Sequence, residues 1–183
     1  MRSEPWNEGT AREALILLRQ AHEAWTTLMP TALAPDQDSD PVQTLRTLHQ
    51  HITLALAWVR GLDDMAHARD GLAGYPDTWN DPGVELVDAA VYACNRVVHQ
   101  LIHVGRYNQG GRSYPRTYPV TYNPASLTWV TAEALPPESA DSGRMPWRRR
   151  TAYLNRWAGQ PMTDGLAEIR AFMDAEIGPA VEV

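Results

Sequence analysis

The stretch Asp81–Gly105, DPGVELVDAAVYACNRVVHQLIHVG, decides the fold. Asp81 followed by Pro82 opens a helix: a carboxylate takes up N–H groups that the first turn leaves unpaired, and the proline sits where no N–H is needed. At ~100° per residue, Val84, Val87, Val91, Cys94, Val98, Leu101 and Gly105 fall on one line. Leu86, Ala90, Ala93, Val97 and Val104 widen that line to about half of the circumference. A surface helix needs a narrower stripe, so this one is predicted to lie centrally, between two neighbours.

Reading outward gives four more helices. Thr10-x-x-Glu13 has the form of a capping box, opening a helix over 10–29 with Ala14, Leu18, Ala21, Trp25 and Leu28 on one face and Pro30 as its stop. Asp40-Pro41 repeats the opening device for a helix over 41–70, whose stripe is Val42, Leu45, Leu48, Ile52, Ala55, Leu56, Val59 and Leu62 and whose end falls near Gly71. Beyond the central helix, expected over 82–105, a fourth over 146–158 carries Trp147, Thr151, Leu154 and Ala158, with Gly159 and Pro161 after it. Thr163 caps a fifth over 163–177, with Leu166, Ile169, Phe172, Met173 and Ile177 inward and Gly178-Pro179 as its stop.

Between 106 and 143 helical periodicity lapses. Tyr118, Val120 and Tyr122 alternate, Asn123-Pro124-Ala125-Ser126 supplies turn chemistry, and Leu127, Trp129 and Thr131 alternate again, which predicts a short hairpin around that turn. The expected fold class is mainly α: a single-domain helical bundle of about five helices spanning 1–183, with an irregular, partly β-hairpin insertion between the third and fourth. Its core is predicted to include Leu18, Trp25, Leu45, Ile52, Val59, Val91, Val98 and Phe172.

At 183 residues with 44% hydrophobic and 21% charged residues, the chain fits one globular core. Neither a signal peptide nor a membrane span is read, and a cytoplasmic location is expected. Cys94 is the single cysteine, which excludes an intramolecular disulfide and any cysteine-based zinc site. All 16 basic residues are arginine, in a composition that points to a GC-rich coding source such as an actinobacterium or one of its phages. The formal charge of −6 is unevenly spread: residues 1–100 hold 7 Arg and 14 Asp/Glu, 101–160 hold 8 Arg and 3 Asp/Glu, and the rest 1 Arg and 5 Asp/Glu. An acidic body therefore carries a basic insert.

That insert is the strongest functional signal. Arg112, Arg116, Arg148, Arg149 and Arg150 are interleaved with Tyr114, Tyr118, Trp147 and Tyr153. Guanidinium groups bind carboxylates and phosphates bidentately and stack on rings, so these nine residues are the candidate interaction surface. The expected function is a non-enzymatic assembly or partner-binding protein, with a protein partner or self-association first and nucleic acid third, since a pI near 5.4 lacks a whole-domain basic footprint. No membrane partner is expected.

The alternative is a His-dependent metal-binding bundle with hydrolase or transferase activity. His99 and His103 stand four apart on one helix, a spacing that helical metal sites use. The pair resembles part of the three-histidine pattern of DinB-like metal bundles, although no third histidine is singled out and the two lie away from the Val91/Cys94/Val98 line. Glu85-x-x-Asp88 is similar to one half of the acidic Mg²⁺ signature of MazG-like nucleotide pyrophosphohydrolases, whose other half is missing from the first helix, where only Glu13 and Glu23 occur. Neither pattern assigns the chain to a family. Glu85 is read instead as an acid in a helix's first turn, favourable with the macrodipole. No nucleophile elbow, phosphate-binding loop or dinucleotide fingerprint occurs, so no catalytic residue and no cofactor is expected.

Overall fold

The structure, a computed structural model, describes residues 7–33, 40–78, 81–100, 105–108, 111–112, 122–123, 126–134 and 146–181. It is a mainly α bundle of five helices with an irregular, partly β insertion. The helices are α1 (Glu8–Leu33), α2 (Pro41–Thr78), α3 (Asp81–Gln100), α4 (Pro146–Arg156) and α5 (Met162–Val181). Short strands β1 (Gly105–Asn108), β2 (Gly111–Arg112), β3 (Tyr122–Asn123) and β4 (Ser126–Trp129) separate α3 from α4, with a 3₁₀ turn at Ala132–Ala134. Among the described residues no helix is long and apolar enough to cross a membrane.

The second helix opens as its sequence requires. The Asp40 carboxylate accepts from the N–H groups of Val42 (2.9 Å) and Gln43 (3.2 Å), and the Asp40 carbonyl accepts from Thr44 (3.0 Å). The first helix opens earlier than the Thr10/Glu13 pair suggests. Asn7 is its cap, taking the Thr10 N–H on Oδ1 at 3.1 Å, which leaves Thr10 inside the first turn.

Three expected stops are overrun. α1 continues through Pro30 to Leu33, α2 through Gly71 to Thr78, and α5 through Gly178 and Pro179 to Val181. Pro30 and Pro179 both lie on exposed faces, where a carbonyl deprived of its helical donor can turn to solvent. The residues beyond them are worth burying: Ala32 and Val181 are almost fully covered, and the Arg12 guanidinium donates to the Val181 carbonyl. The central helix is described to Gln100, residues 101–104 of its expected span lie outside the described residues, and Gly105 opens a strand.

α1 packs chiefly on α2 and α5, while α3 packs on α2 and α4 and more lightly on α5. The wide apolar arc of α3 is thus explained by several neighbours at once: Val84, Leu86, Val87, Ala89 to Cys94 and Val97 are all buried. Leu18, Trp25, Ile52, Val59 and Val91 lie in the core as predicted, and Leu45 and Phe172 pack partly buried against it. The side chain of Val98 lies outside the described residues. Close approach has a local price at Gly83, where a Cβ would fall 2.1 Å from the Phe172 ring.

The fourth helix buries a different face from the one its apolar residues suggest. Ala152 and Tyr153 are buried together with Trp157 just beyond the helix, whereas Thr151 and Leu154 are exposed. Tyr153 and Trp157 enter an aromatic cluster with Tyr92 and Trp129, and arginines beside them meet acids on α3.

Candidate functional site

The α3–α4 seam is built from charges that pair across the two helices. Glu85 accepts from Asn155 Nδ2 at 3.0 Å and from Arg156 Nε at 2.9 Å. One turn on, Asp88 faces two guanidiniums, with Arg148 Nε 2.6 Å from Oδ2 and Arg149 Nε 3.7 Å from Oδ1. The Asn155 and Arg156 contacts hold the Glu85 carboxyl below its ordinary pKa. Burial pushes the Asp88 carboxyl up, against the pull of Arg148 and Arg149, and the carboxylate of Asp63 on α2 adds to the rise. Both acids of the Glu85-x-x-Asp88 motif are therefore engaged by arginines of α4.

This divides the expected interaction ridge. Arg148 and Arg149 are half-buried in the seam and Arg150 alone is exposed. Tyr153, expected as an anchor on the same surface, is instead a core residue at 0% exposure. Its hydroxyl donates to the Val130 carbonyl at 2.7 Å, and its ring lies 5.1 Å from that of Tyr92. Burial raises the Tyr153 pKa well above the usual phenol. Arg96, buried at 3% exposure, lies over the Tyr92 ring, 4.6 Å from its centre.

The insertion is anchored to that aromatic group through Trp129. Its indole stacks on Trp157 at 4.4 Å and meets Tyr153 edge-on at 6.4 Å. The backbone of Trp129 is tied to the turn between α4 and α5, donating to Gln160 and accepting from Gly159, each at 2.9 Å. Gly159 takes φ 75° there, a conformation glycine adopts without penalty. Gly165 on α5 lets the helix close over the two indoles, since a Cβ there would lie 2.9 Å from both Nε1 atoms.

The pairing of the insertion differs from the predicted hairpin. β4 pairs not with the residues just before the Asn123–Ser126 segment but with β1, matching Gly105 to Trp129 and Asn108 to Ser126. β3 pairs with β2, matching Gly111 to Asn123 and Arg112 to Tyr122. The two antiparallel ladders, β1 with β4 and β2 with β3, share one register and make up the described part of the insertion's β arm. β3 and β4 do not pair with each other, so Asn123–Ser126 does not join the two strands of a hairpin. On β4 Leu127 and Trp129 are buried on one face and Thr128 lies on the other, half-buried; the side chains of Arg106 and Tyr122 lie outside the described residues.

Of the other expected residues, Tyr114, Arg116, Tyr118 and His103 lie outside the described residues, as do the side chains of Arg112, Trp147 and His99. Among the described residues no group of three or more His, Cys, Asp or Glu side chains is placed to hold a metal ion.

Two polar features escaped sequence reading. Asp63 is buried at 2% exposure on α2 between Arg60, 3.8 Å away, and His67, whose Nδ1 lies 3.4 Å from the carboxylate and 2.9 Å from the Asp63 carbonyl. Between α1 and α5 an open groove of about 530 Å³ is lined by His22, Ala167, Arg170, Ala171, Asp174 and Ala175. Arg19 Nε at 2.8 Å and Arg170 Nε at 3.1 Å share the Asp174 carboxylate in it. The signal for the groove was present as Ala167, Ala171 and Ala175 at intervals of four on the outer face of α5. No protein-family model matches this chain, and no curated protein or solved structure is significantly similar to it.

Proposed function

We propose that this is a non-enzymatic binding protein whose working surface is the arginine- and tyrosine-rich β arm, and that the arm engages an acidic protein surface. The observation that carries the reading is that the arginine- and tyrosine-rich segment is paired to β4, whose Trp129 is buried in the body. It is supported by sequence, since residues 105–123 contain three arginines, four tyrosines and no carboxylate, with Arg106, Arg112 and Tyr122 on paired strands. Arginine and tyrosine dominate interface hot spots because they bring area and fixed hydrogen-bond geometry at small entropic cost. The arm sits on an otherwise acidic body, a division that favours oriented encounter with an acidic partner.

The reading differs from the sequence-based one in its residues. Arg148, Arg149 and Tyr153 serve the fold, and the binding role passes to the arm. A protein partner is favoured over nucleic acid because the chain as a whole is acidic, with a pI near 5.4. The work is assigned to the cytoplasm, in keeping with a lone buried cysteine.

The test is a photo-crosslinking residue in place of Tyr122 in the full chain, expressed in cells, with and without Arg106→Glu and Arg112→Glu. Protein adducts that disappear on charge reversal are expected. Adducts carrying nucleic acid, or protein adducts indifferent to the reversal, would overturn the reading.

A further inference from the structure

The long helix α2 turns one side to the bundle, where Leu48, Ile52, Ala55, Val59, Leu62 and Ala66 are all buried. Its outward side is not polar throughout. At ~100° per residue, Leu54, Ala57, Trp58, Gly61 and Met65 fall on one stripe that carries no charge. Leu54 is 48% exposed, Ala57 is exposed, and Trp58, Gly61 and Met65 are half-buried. A Cβ at Gly61 would meet nothing within 4 Å, so the stripe is open to solvent there. An apolar run on the outward side of a helix marks an interaction surface.

Charge identifies what covers it. Arg46 and Asp64 flank the stripe on one edge, about five turns apart at 3.6 residues per turn, and so share a direction. Arg46 is exposed and, among the described residues, meets no acid. The Asp64 side chain is 59% exposed even though Arg60 lies 2.8 Å from it, so its carboxylate has lone pairs open to a second guanidinium. Two antiparallel helices related by a twofold keep each edge on its own side, which lets residues of the same edge face each other across the pair. The twofold that sets Arg46 of each copy level with Asp64 of the other passes near Ala55. It puts Leu54, Ala57 and Trp58 of both copies at the centre of the contact and Gln50 over the bare Gly61.

We infer that α2 pairs antiparallel with α2 of a second copy of this chain, closing an isologous dimer. An apolar centre lies between two Arg46–Asp64 pairs, the arrangement of a dry core and a charged rim that stable interfaces share. The centre supplies the affinity and the rim pairs fix the register. A twofold contact uses the same patch on both copies and is complete at two, so it builds no chain or ring. It involves no residue of the arm and adds self-association to the arm's binding of a protein partner.

The experiment is sedimentation velocity of the full chain over a concentration series. Wild type should form a dimer. Leu54→Arg should stay monomeric with its helical circular dichroism unchanged, since in a single copy the new side chain points to solvent. Arg46→Glu alone and Asp64→Arg alone should each weaken the dimer by at least about tenfold, because like charges then face each other. The chain carrying both exchanges should dimerise again, a recovery that misfolding cannot produce. Arg106→Glu with Arg112→Glu on the arm should leave the dimer intact. A wild type that is monomeric at every concentration, a Leu54→Arg protein that dimerises, single exchanges without effect, a double exchange that fails to recover, or loss of the dimer in the arm variant would each overturn the inference.

Discussion

Replacing Gly165 by alanine tests the seat on which the arm is anchored. A Cβ at this position would lie 2.9 Å from Trp129 Nε1, 2.9 Å from Trp157 Nε1 and 3.1 Å from Trp157 Cε2. The two rings are stacked at 14° and almost wholly buried, so neither can swing aside as a flexible side chain would. Overpacking of this kind costs about 1–3 kcal/mol, offset by at most about 1 kcal/mol of improved helix propensity. The net loss should be about 1–2 kcal/mol, or roughly 2–8 °C in Tm for a domain of this size. Gly61 on α2 is the internal control, because a Cβ there meets nothing within 4 Å. Gly61→Ala should raise stability by about 0.5–1 kcal/mol through the same propensity gain. Urea unfolding followed by tryptophan fluorescence measures both. A Gly165→Ala protein as stable as wild type would refute the close approach of α5 to the indole stack.

Two further outcomes follow from buried titratable groups. Burial pushes the Cys94 thiol up to about 11, so the native state holds its proton where the unfolded chain releases it. That contribution is complete below the ordinary thiol pKa of 9.0 and is lost between there and about 11. Melting temperature should therefore fall across that range, Cys94→Ala should flatten the fall, and a thiol reagent should label Cys94 only on unfolding; rapid labelling of the native protein would contradict this. His67 is held above its ordinary 6.5 because the hydrogen bond and charge of Asp63 outweigh burial, which is the largest single influence and acts downward. Its stabilising contribution is full below 6.5 and disappears as pH rises through the folded value, so His67→Gln should reduce the loss of stability between mildly acidic and mildly alkaline pH. An unchanged pH profile in that variant would show that the Asp63 contact is absent.

What was legible in the sequence was whatever a single element reveals about itself. Asp40-Pro41 fixes the start of α2 because the cap and its N–H partners are neighbours in the chain, and the half-apolar circumference of α3 forces a central position whatever surrounds it. What was not legible depends on two elements at once. The face α4 buries is the one whose Tyr153 and Trp157 meet Tyr92 on α3 and Trp129 on β4, so reading Trp147, Thr151, Leu154 and Ala158 as the apolar side missed contacts supplied by other elements. The hairpin failed for a related reason: Asn123-Pro124-Ala125-Ser126 has the chemistry of a turn, but β4 finds its partner in β1, which local alternation does not encode. Pro30 and Pro179 were read as stops because a proline removes one hydrogen bond, a loss that burial of Ala32 and Val181 outweighs.

The central claim is that the arm binds a protein partner and the α4 arginines hold the fold, and association read by crosslinking through position 122 in cells, combined with thermal melting on two double variants, tests it most directly. Arg106→Glu with Arg112→Glu should abolish association and leave the melting temperature unchanged. Arg148→Ala with Arg149→Ala strands a largely buried carboxylate at Asp88, whose side chain is 16% exposed, and should cost about 1–3 kcal/mol of stability while association of the folded protein persists. The reverse pattern, with association lost in the α4 variant and retained in the arm variant, would contradict the account.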